Sequence, residues 1–499
     1  MVGKSSRQNT LNKDCKMNVS RRTWLAASLA FSALCRTGAA KNIDNIKTNS
    51  PESWPVVVIG SGLSGLAAAV CAIENGASNV LILEKGPLVG GHSQYSSGSM
   101  AIVQPYTEKL TGWQDSVAQF VADALTFGGG SGNLEILSKI ARDSFDVFTW
   151  LKACGIFFGP VFMAKSGLHP RCVSMPGNAA GRSYVLAVAR RAVELGVKIR
   201  LNCQVNAFEP TERGWLLKVN YIGTQSQFSG QIFAKSLIIA SGGFTADIAK
   251  RTQFDARLTA DLRTTANPYG TVWDGATGEI LDAAQQAGAA LTEGFGLQLL
   301  PYWGGRLLDY DGGDIYVDAS GERFIDENLT WNSIADKLLN LEDRFCWVIT
   351  DARSHKGATL GLKLLNGIVH KAQSVEEMAY QMQVPYLTLK KTLEDYNRSV
   401  DNGYDRETGK KTFAQRIEQP PFYFGKETVY VHTSLDGIRT DAQARVLSTL
   451  GTPMLGLFAA GEVVGGIFGN DRLSGLSITN CLVMGREAGR NAARYSLNF

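Results

Sequence analysis

Apolar runs that end in glycine organise this chain. Pro55-Val56-Val57-Val58-Ile59 is continuous rather than alternating, and Gly60-Ser61-Gly62-Leu63-Ser64-Gly65 follows it, then Leu66-Ala67-Ala68-Ala69. An unbroken β-branched run bounded by glycine predicts a strand buried on both faces. The alanine-rich stretch beyond predicts a helix. A second apolar run, Val80–Leu83, ends in Glu84. Two more of the same kind occur far down the chain: Ser236–Ala240 before Ser241-Gly242-Gly243, and Gly456–Ala460 before Gly461-Glu462, with a helix predicted from about Ser477. Between Gly288 and Gln419 the pattern loosens into mixed strands and helices, including an amphipathic stretch at Tyr386–Val400.

Strand, glycine turn, helix, second strand and terminal acid form the signature of a dinucleotide site in a Rossmann-like α/β domain. Gly60 makes the turn, Gly62 lets the backbone approach a pyrophosphate, and Gly65 with Ala69 lets helix and strand pack closely. The helix N-terminus faces the phosphates, and Glu84 can accept both hydroxyls of a ribose. Lys85 leads into a second flexible loop, Gly90-Gly91-His92-Ser93, and a Ser/Gly stretch that includes Ser97 and Gly98. The loops after Ser241 and Gly461 return to the same place from distant parts of the chain. Such enclosure fits FAD, which is longer than NAD.

Composition narrows the picture. The 499 residues are 44% hydrophobic and 19% charged, which is globular, and 53 glycines make roughly one residue in nine against a typical ~7%. The excess is read as loops that let the backbone approach a flavin. The eight cysteines contain no C-x-x-C pair, and the five histidines (92, 169, 355, 370 and 432) form no recognisable metal motif. Residues 1–40 carry Arg21-Arg22, an apolar run from Trp24 to Cys35 and Gly38-Ala39-Ala40. These features predict a twin-arginine signal peptide cleaved after Ala40, with Met17 a candidate start, and residues 41–54 as a polar linker. The apolar run is too short to span a bilayer. Removing 1–40 turns a net charge of +4 slightly negative, so the apparent basicity offers nothing to nucleic acid. A protein exported folded by the twin-arginine translocase is expected to be periplasmic and to carry a tightly bound cofactor. Its six remaining cysteines are expected to be free thiols.

From Pro55 to Tyr495 the sequence resembles the flavoprotein family of soluble fumarate reductases, urocanate reductases and 3-oxosteroid dehydrogenases. Gly461-Glu-Val-Val-Gly-Gly-Ile-Phe-Gly-Asn-Asp-Arg472-Leu-Ser-Gly475-Leu476-Ser477-Ile478-Thr-Asn carries the most specific likeness. The resemblance implies an FAD-binding domain in two parts, 55–290 and 431–499, with an inserted α+β cap at 291–430. It places Glu84 on the adenosine ribose, Val205 beside adenine, Glu462 at the ribityl chain and Leu476–Ile478 under the flavin pyrimidine. It gives Arg472 and His432 the role of holding a substrate carboxylate.

Other positions depart from that pattern. Aligning Arg323–Glu327 with the family's cap motif puts Trp331 where a proton-donating arginine stands, Leu300 at a second substrate histidine, and Leu307 and Tyr310 near a relay acid and arginine. This argues against fumarate and for a bulkier, less charged unsaturated substrate, with Tyr302, Trp303, Tyr310, Tyr316 and Trp331 as candidate wall residues. A phenol, Tyr302, Tyr310 or Tyr316, or His92, is the expected replacement proton donor. The expected reaction is hydride transfer between flavin N5 and a carbon–carbon bond activated by carbonyl or carboxylate. No haem motif is present, so a separate electron partner such as a c-type cytochrome is expected. Two alternatives stay open: a flavin oxidase or dehydrogenase of alcohols or amines, and a non-catalytic flavin electron carrier.

Overall fold

The computed structural model describes residues 51–498 apart from 177–179, 223–228, 303–306, 309 and 358, and for Tyr302 only the backbone. The expected signal peptide, most of the linker and Trp303 lie outside the described residues.

The apolar runs form the middle of an eight-stranded sheet. Its order is Arg445–Leu447, Pro453–Ala459, Ser229–Ile239, Glu52–Ile59, Val80–Leu83, Lys198–Arg200, and the five strands from Pro453–Ala459 onward are mutually parallel. Val56 pairs with Val80 on one side and Ser236 on the other. Each central strand is therefore flanked by others and covered on both faces, which is why these runs are continuously apolar. A hairpin, Cys203–Thr211 and Gly214–Tyr221, extends the sheet antiparallel to Ser229–Ile239.

The helix Leu63–Glu74 is buried from Leu63 through Ala72. Its outer side is covered by the C-terminal helix Leu476–Leu497, and two glycines in that helix permit the contact. A Cβ on Gly485 would stand 2.5 Å from the Ser64 carbonyl oxygen, and one on Gly489 2.1 Å from that of Ala68. The glycine excess thus serves helix packing as well as ligand approach. The six cysteines after residue 50 are all free.

A second sheet of five strands lies between Leu297 and Ser434, in the order Ile315–Val317, Phe345–Thr350, Phe422–Ser434, Val369–Ala372, with Leu297–Tyr302 paired to the far end of Phe422–Ser434. A separate apolar cluster around Ile315, Trp347, Leu389, Tyr396 and Phe424 packs against it. The boundary expected at 430/431 falls inside the Phe422–Ser434 strand, because one continuous strand carries the chain from this sheet to His432. Among the described residues no helix is long and apolar enough to cross a membrane, and no cluster of potential metal ligands occurs.

Candidate active site

A cavity of about 1260 Å³ runs along the carboxyl ends of the parallel strands, the usual ligand position in such folds. It exceeds the roughly 300–1,000 Å³ of an ordinary small-molecule site, which leaves room for a dinucleotide and a substrate together. Most residues expected to bind the cofactor line it: Gly60, Ser61, Gly62, Leu63, Ser64, Glu84, Lys85, Gly91, His92, Ser93, Ser97, Val205, Ser241, Gly242, Glu462, Gly475, Ser477 and Ile478.

Four expected residues are not among those lining it. A Cβ on Gly65 would meet the Gly60 carbonyl oxygen at 2.1 Å, one on Gly98 the Ala180 side chain at 2.4 Å, and one on Gly461 the Ser64 hydroxyl at 2.4 Å. Leu476 is buried. The three glycines are packed closely against neighbouring backbone and side chains beside the cavity.

The residues present fit a dinucleotide. Gly62 begins the Leu63–Glu74 helix without a side-chain cap, and a Cβ there would have only the Ser93 hydroxyl nearby, at 3.9 Å. Space and helix amides thus coincide where a pyrophosphate would sit. A Cβ on Gly242 would meet nothing within 4 Å. Glu84 Oε2 accepts hydrogen bonds from the Ser61 amide at 2.9 Å and hydroxyl at 2.6 Å, and Oε1 accepts from the Gly86 amide at 2.7 Å. The carboxylate so fixes the turn beside which a ribose would lie. Lys85 is committed to Glu279 at 2.5 Å and Thr277 at 2.6 Å. Glu462 Oε1 accepts from the Ser434 amide and hydroxyl.

His92 pairs with Asp274 at 2.6 Å, and Thr264 donates to the other oxygen of that carboxylate. Burial works against the imidazolium, yet the hydrogen bond and charge of Asp274, with Glu462, raise its pKa above the usual value. Burial would likewise raise Asp274, but His92 and Thr264 bring it down to about 2. His92 is thus a paired group held toward its charged form.

The lining of the cavity also includes Arg472, His432, Thr433, Leu300, Leu307, Trp331 and Lys165. Arg472 is 7% exposed. Its Nη2 donates to Gln298 Oε1 at 2.9 Å and its Nη1 to the Leu473 carbonyl at 3.2 Å, while Nε has no hydrogen-bond partner among the described residues. Gln298 is held in turn by donating to Asp471 Oδ1 at 2.5 Å and to the Arg472 carbonyl at 3.1 Å. Burial lowers the Arg472 pKa, opposed by Asp471 and Glu462, but an arginine remains charged. A buried guanidinium with an unused donor is costly unless a ligand completes it. His432 Nδ1 lies 2.8 Å from the Thr265 hydroxyl, which fixes the ring at the cavity wall.

The expected phenols divide differently. Tyr310 is not among the lining residues: its hydroxyl accepts from the His355 amide at 3.2 Å and its ring packs against the Leu307–Leu308 cluster. Burial raises its pKa. Tyr302 pairs through its backbone with Thr428. Tyr316 lies behind the wall, buried, with its hydroxyl 2.9 Å from Lys165 Nζ. Trp331, by contrast, lines the cavity as the first residue of the helix Trp331–Leu339.

Lys165, Gln298 and Thr265 were not singled out by the sequence. Lys165 and Thr265 lie in loops without periodicity and Gln298 in the short strand Leu297–Tyr302, and their partners are far away along the chain: Gln298 reaches Arg472 across 174 positions and Lys165 reaches Asp314 across 149.

Residues 55–478 match the family described as FAD binding domain. The chain is 29% identical over 521 residues to the acrylate reductase flavoprotein subunit of Shewanella woodyi, covering 96% of this chain and 99% of that one. It is 27% identical to the urocanate reductase of Eggerthella lenta, covering 88% and 74%. Among solved structures, the open conformation of a flavocytochrome c3 fumarate reductase superposes with a TM-score of 0.71 at 26% identity, covering 97% of this chain and 83% of that one. The match extends over most of the chain, and the residues lining the cavity fit a dinucleotide, so this protein belongs to the FAD binding domain family and binds FAD.

Proposed function

We propose that the protein is an FAD-dependent oxidoreductase that reduces a carbon–carbon double bond conjugated to one carboxylate or carbonyl, and that fumarate is not its substrate. The observation that carries this reading is the part of the cavity lining that Arg472 shares with Leu300, Leu307 and Trp331. There one buried guanidinium, Arg472, keeps Nε unpartnered among the described residues, while Leu300, Leu307 and Trp331 are apolar. A dicarboxylate would need a second cation for its second charge. Lys165, which lines the same cavity, is already balanced by Asp314, and the Lys356 ammonium donates to the Asp351 and Ser354 carbonyls. Acrylate, named for one relative, bears a single carboxylate, and urocanate, named for another, a single carboxylate on an unsaturated arm of a flat ring; both suit this arrangement better than a diacid.

When bound, FAD supplies hydride exchange at N5. Arg472 would receive the activating carboxylate on its planar fork, and His432, oriented by Thr265, would sit against the same group. The apolar wall excludes water and strengthens both contacts. We further propose that the first forty residues direct export by the twin-arginine route to the periplasm. A separate protein, such as a c-type cytochrome, would supply the electrons.

The test is anaerobic. Protein reduced with dithionite is mixed with acrylate, cinnamate-type acids, urocanate, fumarate and enones, and flavin reoxidation is followed. Rapid reoxidation by monoacids or enones with little response to fumarate supports the reading. Peroxide release with alcohols or amines, or equal rates with every compound, refutes it.

A further inference from the structure

We propose that Lys165 is the residue that delivers the proton in this reaction, with Tyr316 and Asp314 as its positioning residues; this rests on the reductase reading above. Lys165 lines the same cavity as Arg472 and Trp331, and its side chain is wholly buried. Its Nζ lies 3.4 Å from both oxygens of Asp314 and 2.9 Å from the Tyr316 hydroxyl. The ammonium also stands 6.0 Å from the centre of the Trp331 ring and 4.9 Å from that of Tyr316. Asp314 gives it the counter-charge that a buried cation needs.

The loop bearing Lys165 is pinned to the segment that follows Arg472. Ser474 donates its hydroxyl to the Lys165 carbonyl at 2.5 Å and its amide to the Ser166 carbonyl at 3.4 Å. The backbone that carries Lys165 is therefore held to the segment that carries Arg472. Ser166 and Leu168 adopt left-handed backbone angles, φ +57° and +60°, a cost for residues with side chains that tends to be kept where function fixes the geometry. Of the phenols whose side chains are described, Tyr310 is turned to the His355 amide and Tyr316 to Lys165 itself.

In the step assigned to Lys165, one Nζ–H bond breaks and one C–H bond forms at the carbon next to the carboxylate or carbonyl. The other carbon of the double bond takes hydride, whose electron pair comes from reduced flavin. Lys165 is left a neutral amine, held by Tyr316 and Asp314, and regains its proton from water that enters after the saturated product leaves.

The test uses the FAD-loaded enzyme. Reoxidation of reduced flavin by an unsaturated monoacid is timed by stopped flow. Binding of the corresponding saturated acid to oxidised enzyme is titrated through the flavin absorbance. For Lys165→Ala the rate is expected to fall about 10²–10⁴-fold, the usual contribution of a general acid. Saturated-acid affinity should stay within about threefold, and a small primary amine in the buffer should restore part of the rate. Because Lys165→Ala leaves Asp314 buried without its cation, the double variant Lys165→Gln/Asp314→Asn removes both charges together and is expected to show the same loss. A variant rate within about threefold of wild type overturns the proposal, as does a rate loss matched by an equal loss of saturated-acid binding without amine rescue. A wild-type enzyme inert toward every unsaturated acid fails the reductase reading and this inference together. An active wild type with an unimpaired Lys165→Ala fails this inference alone.

Discussion

Replacing Arg472 separates an anchor from a structural ion pair. The guanidinium has five N–H donors, of which one goes to Gln298 and one to the Leu473 carbonyl. Three remain, including Nε, so a carboxylate can be held by two parallel charge-assisted bonds. At roughly 1.5–3 kcal/mol each, Arg472→Met should cost about 3–6 kcal/mol of transition-state binding. At about 1.4 kcal/mol per decade that is a loss of roughly 10²–10⁴-fold in kcat/KM. Arg472→Lys keeps the charge but offers no fork, and about half of the loss should return on a logarithmic scale. Folding stability should behave in the opposite way. Arg472 makes no salt bridge among the described residues, so Arg472→Met removes a desolvated charge as well as two hydrogen bonds. These effects offset, leaving urea stability within about 1 kcal/mol of wild type. The assay is steady-state kinetics with an unsaturated monoacid beside urea denaturation of the same preparations. A stability loss above about 3 kcal/mol, as when a buried ion pair is broken, with kcat/KM nearly unchanged, would refute the anchor role.

Three further outcomes follow from the geometry. Gly65→Ala would drive a Cβ to 2.1 Å from the Gly60 carbonyl, pushing helix from strand, so the purified protein should lose most of its FAD absorbance; a flavin content equal to wild type would contradict this. The raised pKa of His92 means that its pairing with Asp274 stabilises the fold fully below the unfolded value of about 6.5 and less as pH rises through its folded value, so thermal stability should fall over that rise and the fall should shrink in His92→Gln. Glu327 accepts from Arg323, Lys410 and the Tyr316 amide; burial opposes its charge, yet Lys410 and Arg323 bring it from 4.5 down to about 2. That shift contributes about 3 kcal/mol, present above pH 4.5 and lost toward pH 2, and Glu327→Gln should flatten this acid limb in urea titrations.

The parts of the site legible in the sequence are those whose cause is local. Val56–Ile59 reads as a buried parallel strand because both its faces are covered, and Gly60–Gly65 reads as a phosphate turn because its spacing is set by one helix start. Arg472 was legible through the segment around it, although Gln298, which aims it, lies 174 positions away. Tyr310 and Trp331 show where the reading stops. Both are aromatic residues in the same stretch, and composition gives no reason why one should face the cavity and the other the Leu307–Leu308 cluster. That difference comes from the start of the Trp331–Leu339 helix and from the His355 amide, which are tertiary events. Lys165 was illegible for a related reason. Alone in an aperiodic loop it reads as a solvated surface lysine, and only the approach of Asp314 and Tyr316 makes burial of its charge possible. The sequence loses a cation at 331 and a histidine at 300, which looked like decay of a charged wall. The fold brings in a lysine from residue 165 instead, paired with Asp314, so the wall keeps a proton source without a second free charge, and a phenol need not be the proton donor.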